Sequence, residues 1–357
     1  MPTDFIKLKT GELVAKNDIH KVCFLFWGLI GDVFIRVAIL EAFKKFYPNT
    51  QITVVVDPPA KSVLVNHPDV DEVYVFSRKK KPRAEYLLRS LRNIAYLRRR
   101  KFDLFVNLYS GGSSPMVTRM VNARIRLGFD HTAILRKVNN LLVKHPSLCL
   151  HWTTQFASIL EPLGIAKTDV RRGTSYYCDQ DSLDFAKKLF ENDENRYVIV
   201  NLGARVLEKR WEISRYVELC AAIYHKYGLS PLVITNPGME DLAIEFSDRY
   251  QTHGHFRQLP LLPLNQVAAV MRHAEFVITG DTSIMHLAFG LKLPTLVLFT
   301  YTRPEIVEPA DCLHEDCFVA NPANKDECGN AMGSKDIPVS LAIKKFDDLC
   351  QHKLMEA

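Results

Sequence analysis

Four short stretches hold residues whose types and spacing can do chemistry. The first, WGLIGDVFIR, sets Asp32 behind two glycines, Gly28 and Gly31, where an apolar run ends. A carboxylate so placed reads in two ways. It is a helix N-cap, stabilising by about 1 kcal/mol, or a general base that takes a proton from a hydroxyl nucleophile. It does not belong to a dinucleotide fingerprint: G-x-x-G-D lacks the third glycine, and no clear acid follows the second strand, although Asp57 is nearby. The second stretch, NLGARVLEKRWEISRY, puts Lys209 and Arg210 in a turn that Gly203 permits, ahead of a helix beginning near Glu212. Cations there suit phosphate oxygens, or form a plain basic surface loop. The third, TNPGMEDLAIEF, places Glu240 and Asp241 in the first turn of a helix, where acids favour its dipole. Glu240 can alternatively hold a ribose or a base. The fourth, ITGDTSIMHLAFG, brings Gly280, Asp281, Thr282 and Ser283 to the start of a helix, with His286 a turn later. Unpaired N–H groups and two hydroxyls converging on a positive helix end make an anion site. The serine-hydrolase elbow G-x-S-x-G is absent. His286 either reaches that site or belongs to the core.

These residues need strand ends to position them, and the chain supplies such ends twice. Runs rich in Val, Ile and Phe at 21–27, 51–56, 72–76 and 102–108 read as strands, with amphipathic helical stretches such as 33–48 between them. The pattern restarts with strands at 196–203, 229–236, 275–280 and 294–300 and a helix at 212–228. Apolar runs without strict alternation fit parallel strands buried on both faces. The expected fold class is therefore α/β, with two Rossmann-like domains whose parallel sheets face a central cleft. The expected divisions are 1–170, 171–335, and a C-terminal helical segment 336–357 that could pack back on the first domain. Ligands in such sheets bind beyond the carboxyl ends of strands.

Bulk properties narrow the class further. The 357 residues are 47% hydrophobic and 24% charged, a globular composition. No apolar h-region stands at the N-terminus and no run is long enough to span a bilayer, so a cytoplasmic protein is expected. From Arg78 to Lys101 there are eleven basic residues and one acid, Glu85. This is either a solvated helix face or a patch for an anionic partner, such as a phosphorylated acceptor or the inner membrane surface. Tyr86 and Tyr96 look like core contacts, and no nucleic-acid-binding pattern is found. Three of eight cysteines, Cys312, Cys317 and Cys328, cluster near the C-terminus. They are weak candidates for zinc or iron because paired C-x-x-C units are missing; a disulfide, an oligomer contact or free thiols are the alternatives.

The stretch GDTSIMHLAFGLKLPTLVLFTYTRP resembles the N-D-T-G-x-x-H-L-A-x-A-L-G-x-P-x-V-x-L-F-G-x-T-x-P signature of the glycosyltransferase family 9 heptosyltransferases. LFWGLIGDVFIRVAILEAFKKFYPNTQITVVV is similar to that family's opening segment. FDLFVNLYSGG with ARIRLGFD, HWTTQFASILEPLGI, EKRW and LNQVAAVMRHAEFVITGDTS follow in order, so the resemblance spans about 20–335. It implies the GT-B fold and inverting transfer of a heptose, usually from ADP-heptose, to a lipopolysaccharide core. It also implies Asp32 as catalytic base and Lys209 as phosphate ligand. Asp281, Thr282 and His286 then fall in the nucleotide-sugar loop, with Arg210, Glu240, Gly280 and Ser283 beside it. Gly28, Gly31, Ser110 and Gly111 are expected on the acceptor side. Four features depart from the pattern: Ser283 and Thr300 replace glycines, Thr235 and Asn236 replace a glycine-rich turn, and the first helix lacks the usual Thr-Pro or Leu-Pro.

The implied reaction needs a nucleotide-sugar and an anionic glycolipid or glycan acceptor. No cofactor is expected, and with no D-x-D at a strand end, no metal bridging the diphosphate. A same-fold epimerase or hydrolase would need its own acid/base pair, and a binding or scaffold protein would keep the fold without turnover.

Overall fold

A computed structural model of the chain describes residues 4–78, 83–109 and 111–356. It divides into two compact units, 1–172 and 173–357.

In the first unit a small antiparallel hairpin, β1 (Phe5–Lys7) and β2 (Leu13–Ala15), precedes an alternating series. The series runs β3 (Lys21–Leu25), α1 (Ile30–Phe46), β4 (Gln51–Val56), the short α2 (Lys61–Leu64), β5 (Glu72–Val75), α3 (Arg83–Arg99) and β6 (Leu104–Asn107). It continues through α4 (Ser114–Val121), β7 (Ile125–Phe129), α5 (Ala133–Val138), β8 (Leu141–Val143) and α6 (Trp152–Ala157). The six later strands form one parallel sheet in the order β5-β4-β3-β6-β7-β8. The chain thus winds outward from β3, returns, and continues on the other side of it. The switch lies between β3 and β6, which are paired through Val22↔Leu104 to Leu25↔Asn107. Strands β3 and β4 are buried after their first residue, and α1 is buried continuously from Val33 to Leu40. These runs lack polar alternation because helices cover both faces of the sheet.

The second unit repeats the plan. It comprises α7 (Gln180–Leu189), β9 (Arg196–Asn201), α8 (Ile213–Tyr227), β10 (Leu229–Ile234), α9 (Glu240–Tyr250), β11 (Arg257–Gln258) and α10 (Leu264–Met271). There follow β12 (Phe276–Gly280), α11 (Ser283–Gly290), β13 (Thr295–Phe299), β14 (His314–Phe318), the hairpin β15 (Ala320–Lys325) with β16 (Ala331–Gly333), and α12 (Val339–Glu356). The parallel order is β11-β10-β9-β12-β13-β14, with the switch between β9 and β12.

The C-terminal segment is built into the core of the second unit. Ala342, Phe346 and Leu349 of α12 are buried with residues of α8 and β14. The Trp211 indole N–H donates to Ile337 O at 3.1 Å and ties the approach to that helix. Ion pairs add to the seam: Glu275 accepts from Arg196 and lies 3.6 Å from Lys353.

Candidate functional site

In the second unit, the ends of β9 and β12 are adjacent, so their following loops meet at the switch point. Asn201, the last residue of β9, is buried, and its Nδ2 donates to Thr279 Oγ1 at 3.0 Å and to Thr282 Oγ1 at 3.1 Å. That side chain fixes the turn after β12. Thr282 is the N-cap of α11, and its Oγ1 accepts from Ile284 N–H at 3.2 Å. Asp281 is 6% exposed. Its Oδ2 accepts from both Lys209 Nζ and Thr302 Oγ1. Ser283 is half-buried, and its hydroxyl makes no hydrogen bond among the described residues. The first turn of α11 therefore presents backbone donors, a positive helix end and a spare hydroxyl beside a lysine.

The loop carrying Lys209 is pinned at several points. Arg210 Nε donates to Ala204 O at 2.6 Å, so this guanidinium closes the loop instead of reaching outward. Thr300 Oγ1 donates to Glu208 O at 2.9 Å and ties the loop to the end of β13. Gly280 is packed under the same loop: a Cβ there would stand 3.2 Å from Lys209 O. Asn236 Nδ2 donates to Gly203 O at 3.2 Å, so the residue that replaces a glycine turn braces the neighbouring loop.

Glu240 opens α9 as an exposed carboxylate at the end of β10. His286 is buried on α11, a turn after Thr282.

The first unit places its candidates at the matching position. Backbone turns at Gly28, whose φ of +152° suits glycine, and α1 begins at Ile30. Asp32 is the third residue of that helix, not its N-cap. Its Oδ2 accepts from Leu29 N–H at 2.6 Å, so a capping role and exposure to a cavity coexist. A Cβ on Gly28 would lie 2.6 Å from Asp32 Oδ2. The glycine is there to admit the carboxylate. Gly31 lies inside the first helical turn.

Asp32 lines a cavity of about 310 Å³. Trp27 after β3, Asn107 and Tyr109 at the end of β6, and Arg36 one turn further along α1 share its wall, with His145 after β8 and Gln155 and Phe156 of α6. The loop after β6 is ordered by Asn107, whose Oδ1 accepts from Tyr109 N–H at 2.9 Å. Gly111 packs against the Tyr109 ring, where a Cβ would come to 3.2 Å. Ser110 lies outside the described residues, as do 79–82 of the basic stretch.

Arg36, His145 and Gln155 were missed in the sequence. The available signal was one arginine inside VFIRVAIL, a charge in the middle of an apolar helix pattern. The basic stretch splits into two roles. Arg78 turns inward: its Nε donates to Asp57 at 2.8 Å and its guanidinium lies 4.4 Å from the Tyr109 ring centroid. Tyr96 stacks on Tyr74 at 4.4 Å and donates to Glu72. Outward, α3 exposes Leu87, Leu88 and Leu91 together with Arg92, Arg98 and Arg99.

Among the described residues Cys312, Cys317 and Cys328 form no shared ligand group: Cys317 is buried on β14, Cys312 is half-buried, and Cys328 lies in the turn after β15. Among the described residues, the group of side chains that could hold an ion is Glu308, His314 and Asp316, with ligand atoms within 4.8 Å of one another. Burial, with Glu308 adjacent, pushes the Asp316 carboxyl up to about 7. The His314 imidazole nearby works in the opposite direction.

Two Rossmann-like units, each with loops that follow adjacent strand ends at its switch point, make up the GT-B fold. The sequence model of glycosyltransferase family 9 (heptosyltransferase) matches residues 90–331, and the chain belongs to that family. It is 25% identical over 279 residues to lipopolysaccharide heptosyltransferase 3 of Escherichia coli, covering 76% of this chain and 81% of that one. Identity to the lipopolysaccharide core heptosyltransferase OpsX of Haemophilus influenzae is 20% over 329 residues, 90% of each chain. The structure of the Escherichia coli ADP-heptose lps heptosyltransferase II superposes with a TM-score of 0.76 at 16% identity, covering 94% of this chain and all of that one.

Proposed function

We propose that the protein is an inverting transferase that moves a heptose from ADP-heptose to a lipopolysaccharide core or related glycan. The observation that carries this reading is Asp32, a carboxylate held by one backbone N–H on the wall of a sugar-sized cavity at the first unit's switch point. Asp32 takes the acceptor hydroxyl proton while that oxygen attacks the anomeric carbon from the face opposite the diphosphate. The carbon–oxygen bond to the diphosphate breaks, and negative charge collects on the departing phosphate oxygens. Lys209 and the N-terminus of α11 are assigned to receive that charge, as an oxyanion site does. Charge neutralisation by these groups supports a transfer that needs no metal bridge. Glu240, exposed after β10, is assigned to the nucleoside.

Acceptor delivery is the second element of the reading. No helix among the described residues is long and apolar enough to cross a membrane. α3, however, shows leucines and arginines on its outer side, with Leu88 69% exposed. A helix of that kind lies in an anionic lipid surface with its arginines at the headgroups. We assign it to peripheral contact with the inner face of the membrane that carries the acceptor.

The test of the core reading is a donor–acceptor assay on Asp32→Asn. Retained donor binding with lost transfer is expected. Normal transfer by this variant would remove Asp32 as the base.

A further inference from the structure

We propose that Glu308, His314 and Asp316 bind a zinc ion that clasps the connection after β13 to the edge strand β14.

β14 pairs in parallel with β13, from Thr295↔His314 to Phe299↔Phe318. His314 and Asp316 stand two residues apart on it, so their side chains leave the same face. Glu308 comes from the connection between the two strands, residues 300–313. The ligand atoms of the three lie within 4.8 Å of one another. Around a tetrahedral ion with bonds of about 2.0–2.1 Å, neighbouring ligand atoms are about 3.4 Å apart, and side-chain rotation closes the remaining gap.

His314 is held as a ligand is held. Its Nδ1 lies 2.8 Å from Cys312 O, which fixes the proton on that nitrogen. Nε2 is left as the electron-pair donor, 3.9 Å from Asp316 Oδ2. The ring also packs edge-on against Phe289, with centroids 5.6 Å apart. A metal-binding histidine characteristically gives its other N–H to a carbonyl or carboxylate, which sets the ring's direction.

Asp316 is the residue whose surroundings call for a cation. Its Oδ1 is buried with no hydrogen-bond partner. The Glu308 carboxyl meets it in a side-chain hydrogen bond, so two acids stand side by side. Among the described residues no lysine or arginine pairs with Asp316; its ion-pair neighbour is His314. Glu315, the residue between, leaves the other face of the strand and has two basic partners, Lys345 at 2.7 Å and His352 at 3.1 Å. Adjacent carboxylates repel, and a buried oxygen without a donor is unfavourable; a metal ion removes both penalties.

The donor set selects the ion. One imidazole nitrogen with two carboxylate oxygens suits zinc, whereas magnesium prefers oxygen ligands in a strict octahedron. The Cys312 thiol donates to Leu293 O at 3.5 Å and lies outside the ligand group. His314 pairs with the first residue of β13, at the end of the sheet opposite Asp281, so the ion is structural and does not touch the diphosphate. What it fastens is the segment whose early residue Thr302 donates to Asp281.

The test uses the full-length protein, free of any histidine tag, stripped with a chelator and titrated with Zn²⁺ by calorimetry. Glu308→Gln, His314→Gln, Asp316→Asn and, as a control, Cys312→Ser are treated alike. We expect one zinc per chain. Each of the three ligand variants should bind it about a hundredfold or more weakly, at or beyond the ten- to hundredfold that losing an outer-shell partner costs. Cys312→Ser should bind as the parent does. Zinc, but not magnesium, should raise the parent's unfolding temperature and slow hydrogen exchange across 304–316. Metal-free Asp316→Asn should unfold no lower than the metal-free parent, because it removes one of two adjoining acids; this separates a lost ligand from a damaged fold. No zinc uptake by the parent, several weak sites in place of one, or uptake that survives in His314→Gln and Asp316→Asn but is lost in Cys312→Ser would overturn the proposal.

Discussion

Lys209 and Asp281 are joined across the loops that follow β9 and β12, with Asp281 also accepting from Thr302. The lysine is one-fifth exposed and the aspartate nearly buried, so the cation is drawn to the mouth of the site by an anion beneath it. A phosphate arriving there would meet an ammonium already oriented.

That geometry separates the two residues experimentally. Lys209→Ala should raise donor KM about ten- to a hundredfold and also lower kcat, because the ammonium acts on charge that grows in the transition state. Asp281→Asn should raise donor KM less and leave Lys209 poorly placed. Steady-state kinetics with varied donor would show this; equal, small effects on KM alone would argue for uniform binding.

Asp32 accepts from Leu29 N–H and is the base of the proposed reaction, and substitutions can part the two roles. Asparagine keeps an oxygen for Leu29 N–H but cannot accept a proton. Asp32→Asn should therefore lose about two to four orders of magnitude in kcat at nearly unchanged stability. Asp32→Ala should add a loss of about 1 kcal/mol from the uncapped helix start. Paired activity assays and thermal melts distinguish them.

Gly28→Ala should be as damaging to turnover as a change at the carboxylate itself. The added methyl would stand 2.6 Å from Asp32 Oδ2, on a backbone with positive φ. Lower kcat with unchanged donor binding is expected; wild-type kcat would show that the carboxylate has room to move.

The outer face of α3 can be tested without touching the site. Leu88→Asp with Leu91→Asp should abolish sedimentation with anionic vesicles and raise KM for a vesicle-borne acceptor, leaving a soluble acceptor unaffected. Vesicle binding should also weaken with salt, since part of it is electrostatic. Unchanged co-sedimentation would remove α3 as the contact.

Acid should loosen the second core at a known point. The hydrogen bond from Arg196 holds the Glu275 carboxyl below its ordinary range, with Lys353 helping. A carboxylate with a depressed folded pKa lends stability above the unfolded value of about 4.3 and loses it as pH falls through the folded one. Arg196 is largely exposed, so the pair is worth about 0.5 kcal/mol. Glu275→Gln should lower the unfolding temperature slightly at pH 7, and the difference should vanish near pH 3.

The fold was legible where the physics leaves a strong imprint. Strands buried on both faces, such as QITVVV and EFVITG, announce themselves as apolar runs. The edge strands do not: HEDCF forms β14 at one side of its sheet, where polar residues guard an open edge. The interior strand β7 is hidden for another reason: IRLGF is interrupted by Arg126 and Gly128, and Asn139 fills the space that Gly128 leaves. Candidate residues at strand ends were visible because turns leave Gly, Asp and Thr in short order. Arg36 was not, since a buried charge is defined by neighbours distant in the sequence. His145 and Gln155 belong to loops and a short helix that carry no motif.

Thr300 stands where the family pattern has glycine, and its hydroxyl grips the Glu208 carbonyl 92 positions away in the chain. Lys209, assigned above to the leaving diphosphate, is thereby hung from the end of β13. Ordinary wear at Thr300, a loss of one hydroxyl, should slacken the whole hinge of the loop. Its mark would be a lysine that still carries its charge but arrives late, with an entropic penalty in the rate and little change in the melting curve.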